Sequence, residues 1–359
     1  MAALKRDLEL SIVPGRAPME AGWSHSLFDE ALGDLKRMKG LFGWRRVRLV
    51  LENPYATANP LKTYIALLLM APRSAELMSL DGRSSFKVNA GRLAGAAFRS
   101  ASVPKLVKRA TREVLAVAEA EEQRAPDFAP PGAPPFVWRP NLWFGTNVGG
   151  SYSHASGVLN GMQEVFGRVA LATTDEVHSL HQDIAVQKID LSRVDGWHCG
   201  AGLHFAANRG LFAEATRLCP DAPAFVYQRG ALGDVSGLRL ARSRRRPFVY
   251  EYNGPEVWVA QQWGDGVPYA EEFVRVETAL LRKADLVLAV SQVLVREAIS
   301  RGVKPERVLH SPNAVDPQRF HPEIDGAVAR ARLKLGARRA AILLSSFGPW
   351  HGVDVAIEA

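Results

Sequence analysis

Five short polar clusters in the rear part of the chain hold the residues best suited to chemistry. The first reads Gly149-Gly150-Ser151-Tyr152-Ser153-His154. Glycines there let a ligand approach the backbone, and a helix opening at that point offers N–H groups and positive potential to a phosphate. The second is Tyr227-Gln228-Arg229-Gly230, and the third is Glu251-Tyr252-Asn253-Gly254-Pro255-Glu256. The last two are Ser291-Gln292 and Ser311-Pro312-Asn313-Ala314-Val315-Asp316. Each has a plainer reading. A glycine pair makes a tight turn, a serine caps a helix, and Glu256 complements a helix dipole in the first turn. The five together say more than any one of them.

What joins them is their place at the ends of apolar runs. Strands are expected at Asn141 to Thr146, Arg168 to Thr174, Ala224 to Gln228, Pro247 to Tyr252, Asp285 to Ser291 and Arg307 to Ser311. Helical periodicity lies between them, at His154 to Phe166, Ala270 to Lys283 and Gln292 to Arg301. Strand–helix alternation implies a doubly wound α/β fold with a parallel sheet, and such sheets bind ligands beyond the carboxyl ends of their strands. All five clusters would then line one sheet edge. A further strand, Ala340 to Ser346, and one helix start close the sequence.

A proline-rich stretch at 121–136, EEQRAPDFAPPGAPPF, separates this region from a front α/β extension at 1–120. In the extension, Val47, Leu49 and Leu51 alternate as a strand does. Lys62 to Met70 reads as a buried helix, and Ser79 to Asn89 reads as a hairpin turning at Asp81-Gly82. Lys105 to Glu122 reads as a basic amphipathic helix with Leu106, Ala110, Val114 and Val117 on its apolar face. Packing against a neighbour is the favoured role for that face, with peripheral membrane contact as the alternative.

The 359 residues carry 45 Lys and Arg against 37 Asp and Glu, a formal charge of +8. The 47% hydrophobic fraction is ordinary for a globular protein, and the apolar run from Ile65 to Ala71 is too short to span a bilayer. No secretory signal is recognised, so a cytoplasmic location is expected, peripheral on the inner face of the membrane if the basic helix binds lipid. Two cysteines, Cys199 and Cys219, indicate no disulfide framework. The arginine runs at 36–48 and 242–246 could meet phosphates, but nothing in them indicates nucleic acid. His178, His181, His198, Cys199 and His204 match no zinc-ligand spacing, so no metal and no cofactor is expected. There is no Walker loop, no GxGxxG and no G-x-S-x-G elbow.

From about Asn141 to Ala359 the sequence resembles glycosyltransferase family 4, whose GT-B fold has two facing Rossmann-like domains. Gly149 to His154 looks like the family's GG-x-x-x-H loop. PFVYEYNGPE, Pro247 to Glu256, looks like its mid-domain strand, with Asn253 where histidine is common. Val290-Ser291 and SPNAVDPQRFHP, Ser311 to Pro322, are similar to the signatures that lead into the second domain. Ser345 to Asp354 looks like the start of the donor domain, with Ser346 and His351 standing where Arg and Lys are usual.

The resemblance implies an acceptor-side domain at 137–322 and the start of a donor domain at 323–359. It implies retaining transfer from a nucleotide diphosphate-sugar to a glycan or lipid-linked hydroxyl, in polysaccharide or cell-envelope glycan synthesis. His154, Asn253 and Glu256 would serve catalysis. Gly149, Gly150, Ser151, Ser346, His351 and Gly352 would meet the donor and its phosphates. Tyr227, Arg229 and Asn313 would meet the acceptor. The family's later glutamate-bearing segment would lie beyond Ala359, so the chain alone is expected to be inactive. A sugar-nucleotide epimerase and a non-catalytic binding module are the competing expectations.

Overall fold

The computed structural model describes residues 7–11, 24–27, 44–51, 54, 60–71, 74–80, 82, 84–120, 126–127, 129–142, 150–194, 196–263, 267–315, 317, 320–344 and 351–359. The described residues form two sheets. The front sheet takes β1 (Leu8–Ser11), β2 (Ser24–Leu27), β3 (Val47–Leu51), β4 (Ala75–Ser79) and β5 (Ser85–Val88) in the order β2-β1-β3-β4-β5. All its pairings are parallel except β4 with β5, the hairpin expected around Asp81-Gly82. Two helices, α1 (Pro60–Met70) and α2 (Ala90–Glu119), complete this unit. Leu8, Leu10, Val47, Leu49, Leu67, Met70, Leu77 and Ala96 form its core.

Helix α2 joins the two halves of the molecule. Ala96 packs in the front core, while Val114 and Ala118 lie in the main core behind it. The helix expected over Lys105 to Glu122 begins earlier, at Ala90. It runs through Pro104. One missing N–H is tolerated because packing holds the helix on both sides of the proline. The buried face is also rotated from the expected one. Val107, Thr111, Val114 and Ala118 are buried, and Leu106 is 39% exposed. The favoured packing role holds for that face.

The main sheet has seven strands, all parallel: β6 (Phe136–Arg139), β7 (Ala170–Thr173), β8 (Ala185–Lys188), β9 (Val226–Arg229), β10 (Phe248–Tyr252), β11 (Leu286–Ala289) and β12 (Val308–His310). The order is β12-β11-β10-β9-β6-β7-β8. From β6 the chain winds outward through β7 and β8, then crosses back to β9 and winds outward the other way. That crossover makes β6 and β9 neighbours, and their carboxyl ends form the switch point where such sheets bind ligands. The helices between strands are α3 (Gly150–Phe166), α4 (Leu203–Ala206), α5 (Asn208–Leu218), α6 (Ser236–Arg244), α7 (Glu256–Trp263), α8 (Ala270–Lys283) and α9 (Gln292–Ser300). Short helices α10 (Ala327–Arg332) and α11 (Val353–Glu358) follow. The α/β fold class with parallel sheets is therefore as expected.

Three expectations about elements change. The first strand is Phe136–Arg139, not Asn141 to Thr146, whose residues 143–146 lie outside the described residues. Phe136 and Trp138 supply the β propensity and core packing that make it a strand. Residues 340–344 form no strand, and Ile342 and Leu344 are 87% and 95% exposed, so no neighbour supplies the pairing a strand needs. Strand β8 had no sequence signal, because its burial is mostly exposed and Val186 is its sole aliphatic besides Ala185.

The arginine run at 242–246 has a structural use. Arg242 donates to the Val117 carbonyl (2.8 Å), and Lys283 donates to the Ala120 carbonyl (2.7 Å). Arg275 pairs with Glu119 at 2.8 Å, and Arg245 pairs with Asp127. Cations thus gather at the C-terminal end of α2, where its dipole favours them. Gly202 completes the seat, since a Cβ there would lie 2.3 Å from Val107 Cγ2 of α2. Gly202→Val should cost about 1–3 kcal/mol through overpacking. Urea unfolding checks this, and an unchanged midpoint would contradict the close seating of α2.

Candidate functional site

Period-two alternation sorts the side chains at the carboxyl edge. On β10, Phe248, Tyr250 and Tyr252 face the main core, so Val249 and Glu251 face the other side, towards α3. On β9 the same side carries Tyr227 and Arg229, and the register pairs Val249 with Tyr227 and Glu251 with Arg229. On β6 that side carries Val137 and Arg139. Leu159 of α3 packs on this face, which brings the first turn of α3 over the ends of β6, β9 and β10.

Glu251 is the centre of the group. It is 3% exposed, yet it carries a charge. Tyr227 donates its hydroxyl to Oε2 at 2.5 Å, and Arg229 Nη1 donates to Oε1 at 2.8 Å. His154 Nε2 lies 3.0 Å from Oε1, and the Asn253 amide nitrogen also donates to that oxygen. Burial alone would push the carboxyl up, but His154, Arg229 and Tyr227 together hold it at about 2. The same environment raises the Tyr227 hydroxyl well above its ordinary value, through burial first and then the Glu251 charge. That phenol therefore stays a donor.

A second pair lies beside the first. Arg139, 5% exposed, meets Asp175 at 2.5 Å, reaches Ser151 Oγ at 3.3 Å and stands over the Tyr152 ring at 4.9 Å. Asn141 donates to the same Asp175 oxygen at 3.2 Å. Arg139 thereby ties the end of β6 to the first turn of α3.

Glu256 opens α7 just past β10. Its backbone N–H donates to Glu277 Oε1 of α8 at 2.7 Å, and Glu277 pairs with Arg301. Burial of the Glu256 carboxyl, followed by the Glu277 charge, pushes it up to about 8 against the pull of Arg229.

Four of the expected site residues therefore converge on one carboxylate: His154, Tyr227, Arg229 and Asn253. Glu256 is adjacent to them through Arg229. Gly150 and Ser151 are exposed in the first turn of α3, above the switch point. Gly149 and Ser346 lie outside the described residues. Asn313 is exposed beyond β12, the edge strand of the sheet, three strands from β9. His351 and Gly352 precede α11. Ser291 caps α9, its hydroxyl accepting from the Leu294 amide at 3.3 Å. Sequence reasoning missed Glu251 as the organiser, and it missed Arg139, Asp175 and Glu277. A charged residue amid the apolar PFVYEY was the available signal for Glu251. Arg139 was hidden by the misplaced first strand.

Residues 169–319 match the family model of Glycosyltransferase Family 4, so the resemblance carried by the motifs is shown over that segment. No curated protein matches the chain. Among solved structures, it is similar to Anabaena Alr3699/HepE in complex with UDP and glucose. The identity is 17% and the TM-score 0.44, with 62% of this chain and 56% of that chain covered. It is also similar to the lipopolysaccharide outer core galactosyltransferase WaaB, at 11% identity and TM-score 0.33, covering 51% of this chain and 46% of that one. A UDP-N-acetylglucosamine 2-epimerase from Rickettsia bellii is similar at 12% identity and TM-score 0.37, with 56% and 51% covered. The chain thus spans about half the length of these structures. Likenesses this distant carry no functional weight. No helix among the described residues is long and apolar enough to cross a membrane.

Glu251 should be the most sensitive position of the edge. Glu251→Gln leaves Arg229 and His154 without their carboxylate and should cost about 3 kcal/mol at pH 7. The folded value of about 2 lies below the ordinary 4.5. The native state therefore binds that proton less tightly than the unfolded chain does. Its contribution is complete above pH 4.5 and is lost as pH falls towards 2. The gap in urea midpoint between wild type and Glu251→Gln should shrink over that window. A gap that stays constant would contradict the assignment.

Proposed function

We propose that this chain forms the acceptor-side part of a glycosyltransferase that moves a sugar from a nucleotide diphosphate-sugar to a hydroxyl, with retention. The family match over residues 169–319 carries the reading. It is supported by the charged group at the carboxyl edge of β9 and β10, where a doubly wound sheet binds ligands. In such transfer the glycosidic bond breaks towards a positive sugar and a negative diphosphate. Helix N-termini, backbone amides and cations stabilise that diphosphate. The first turn of α3, Gly150 to Ser153, supplies helix N-terminal N–H groups at the carboxyl edge. Arg229 spends one N–H of its guanidinium on Glu251 and has five to give. Asn253 and Glu256 orient sugar hydroxyls. The acceptor in this reading is a glycan or lipid-linked sugar, and the pathway builds polysaccharide or envelope glycan.

The test is transfer of labelled sugar from nucleotide diphosphate-sugars by the protein that carries this chain. Gly150 has nothing within 4 Å of an added Cβ, so a larger side chain there enters open space. Gly150→Trp should keep the fold, as read by circular dichroism, and lower transfer at least about a hundredfold by blocking the loop. Wild-type transfer rates in a folded Gly150→Trp protein would remove the site from this edge. The Glu256–Glu277 carboxyl pair favours a second reading, an epimerase, because that chemistry needs acid and base groups. Analysis of products separates them: an epimerised nucleotide-sugar without any acceptor supports the second.

A membrane-bound acceptor fits the outward face of α2. Phe98 is 79% exposed there, and Lys105, Lys108, Arg109 and Arg112 are exposed on the same stripe. Vesicles rich in anionic lipid should bind the protein and release it as salt rises. Replacing Lys105, Lys108 and Arg112 by Gln should weaken binding at least about tenfold, since each cation near such a surface contributes about 1 kcal/mol. Equal binding by the triple variant would reject this face.

A further inference from the structure

Glu277 is a buried carboxylate that no sequence motif singled out. It is 4% exposed on α8. One oxygen accepts the Glu256 amide at 2.7 Å, and the other pairs with Arg301, the C-cap residue of α9. Arg301 also pairs with Glu297 at 2.7 Å. The first turn of α7 is thus fastened to α8 and, through Arg301, to α9. A helix N-terminus normally finds its acceptor in its own cap residue. Here the acceptor comes from another helix, so the placement of Glu256 depends on Glu277.

We propose that Glu277 is a positioning residue of this edge: it binds the first turn of α7 through the Glu256 amide and so sets where the Glu256 side chain meets a sugar hydroxyl. This inference rests on the transferase reading for the identity of the substrate. The charges around Glu256 agree with it. Arg229, the cation that acts on it, is engaged by Glu251, and Arg301 is engaged by Glu277 and Glu297. Tyr250 of β10 faces both glutamates, and Tyr252 faces Glu277, Glu297 and Arg301. Burial and the like charge of Glu277 hold the Glu256 carboxyl at about 8, so it keeps its proton at neutral pH. A carboxylic acid can donate where a carboxylate cannot. Glu277 itself is raised by burial, while the Glu256 amide and Arg301 pull it back.

The experiment is a carbon-detected NMR titration of the glutamate carboxyls in the 359-residue chain, labelled on glutamate. The Glu256 signal is identified by its absence from Glu256→Gln. Its midpoint should lie near pH 8 in the wild type and fall by about one unit or more in Glu277→Gln, which removes the like charge. The amide of Glu256 should remain protected from hydrogen exchange in Glu277→Gln, whose carbonyl still accepts, and lose protection in Glu277→Ala. A midpoint that does not move, or an amide equally protected in Glu277→Ala, overturns the proposal. If Glu277→Gln fails to fold, Glu277→Asp must show a smaller downward move, and an unmoved midpoint there overturns it too. No substrate is present, so the result stands apart from the transferase reading. Absence of sugar transfer would leave the titration intact, and an unmoved titration would leave sugar transfer intact.

Discussion

The carboxyl edge of the main sheet depends on a buried negative charge. Removing a carboxylate from water is costly unless partners replace the solvent, and Glu251 has four. They come from three places: Tyr227 and Arg229 from β9, Asn253 from the turn after β10, and His154 from α3. Satisfying one carboxylate therefore fixes two strands, a turn and a helix relative to one another. Arg139 does the same on the neighbouring strand through Asp175 and Ser151. The pairing is possible because the sheet's alternation turns Tyr227, Arg229, Glu251 and Arg139 to the face that α3 covers.

This arrangement also explains why polar groups of opposite character coexist within a few residues. Glu251 sits among cations and donors and stays ionised. Glu256, five positions later, is raised by burial and by the charge of Glu277. Two glutamates on consecutive elements are thus shifted in opposite directions. Their difference is set by neighbours on β9, α3 and α8, which the local sequence does not contain.

Much of the fold was legible in the sequence, for identifiable reasons. Parallel strands read as short apolar runs, most plainly where both faces are buried as in β7 and β10, so β7, β9, β10, β11 and β12 were placed within a few residues. Their ends located the polar clusters on one edge. The failures also have physical causes. Phe136 follows a run of prolines and closes the expected linker, and the first strand is expected at Asn141 to Thr146 rather than Phe136–Arg139, so the alternation that turns Arg139 towards α3 is lost. Strand β8 is too exposed to have an apolar signature. Within the site, His154, Tyr227, Arg229 and Asn253 were legible as polar residues at strand ends. Glu277 was not, because it lies mid-helix on α8 and acts only through a tertiary contact. The basic run at 242–246 resembled a partner surface, but two of its arginines clasp the α2 end and Asp127.

The central claim is that a ligand with a diphosphate and a sugar meets the edge built on Glu251. Hydrogen–deuterium exchange with and without UDP-glucose tests it directly. The account predicts slower exchange in the first turn of α3, Gly150 to His154, and across Asn253 to Val257, with the front sheet unchanged. Slowed exchange confined to the front sheet, or none at this edge at saturating ligand, would contradict it.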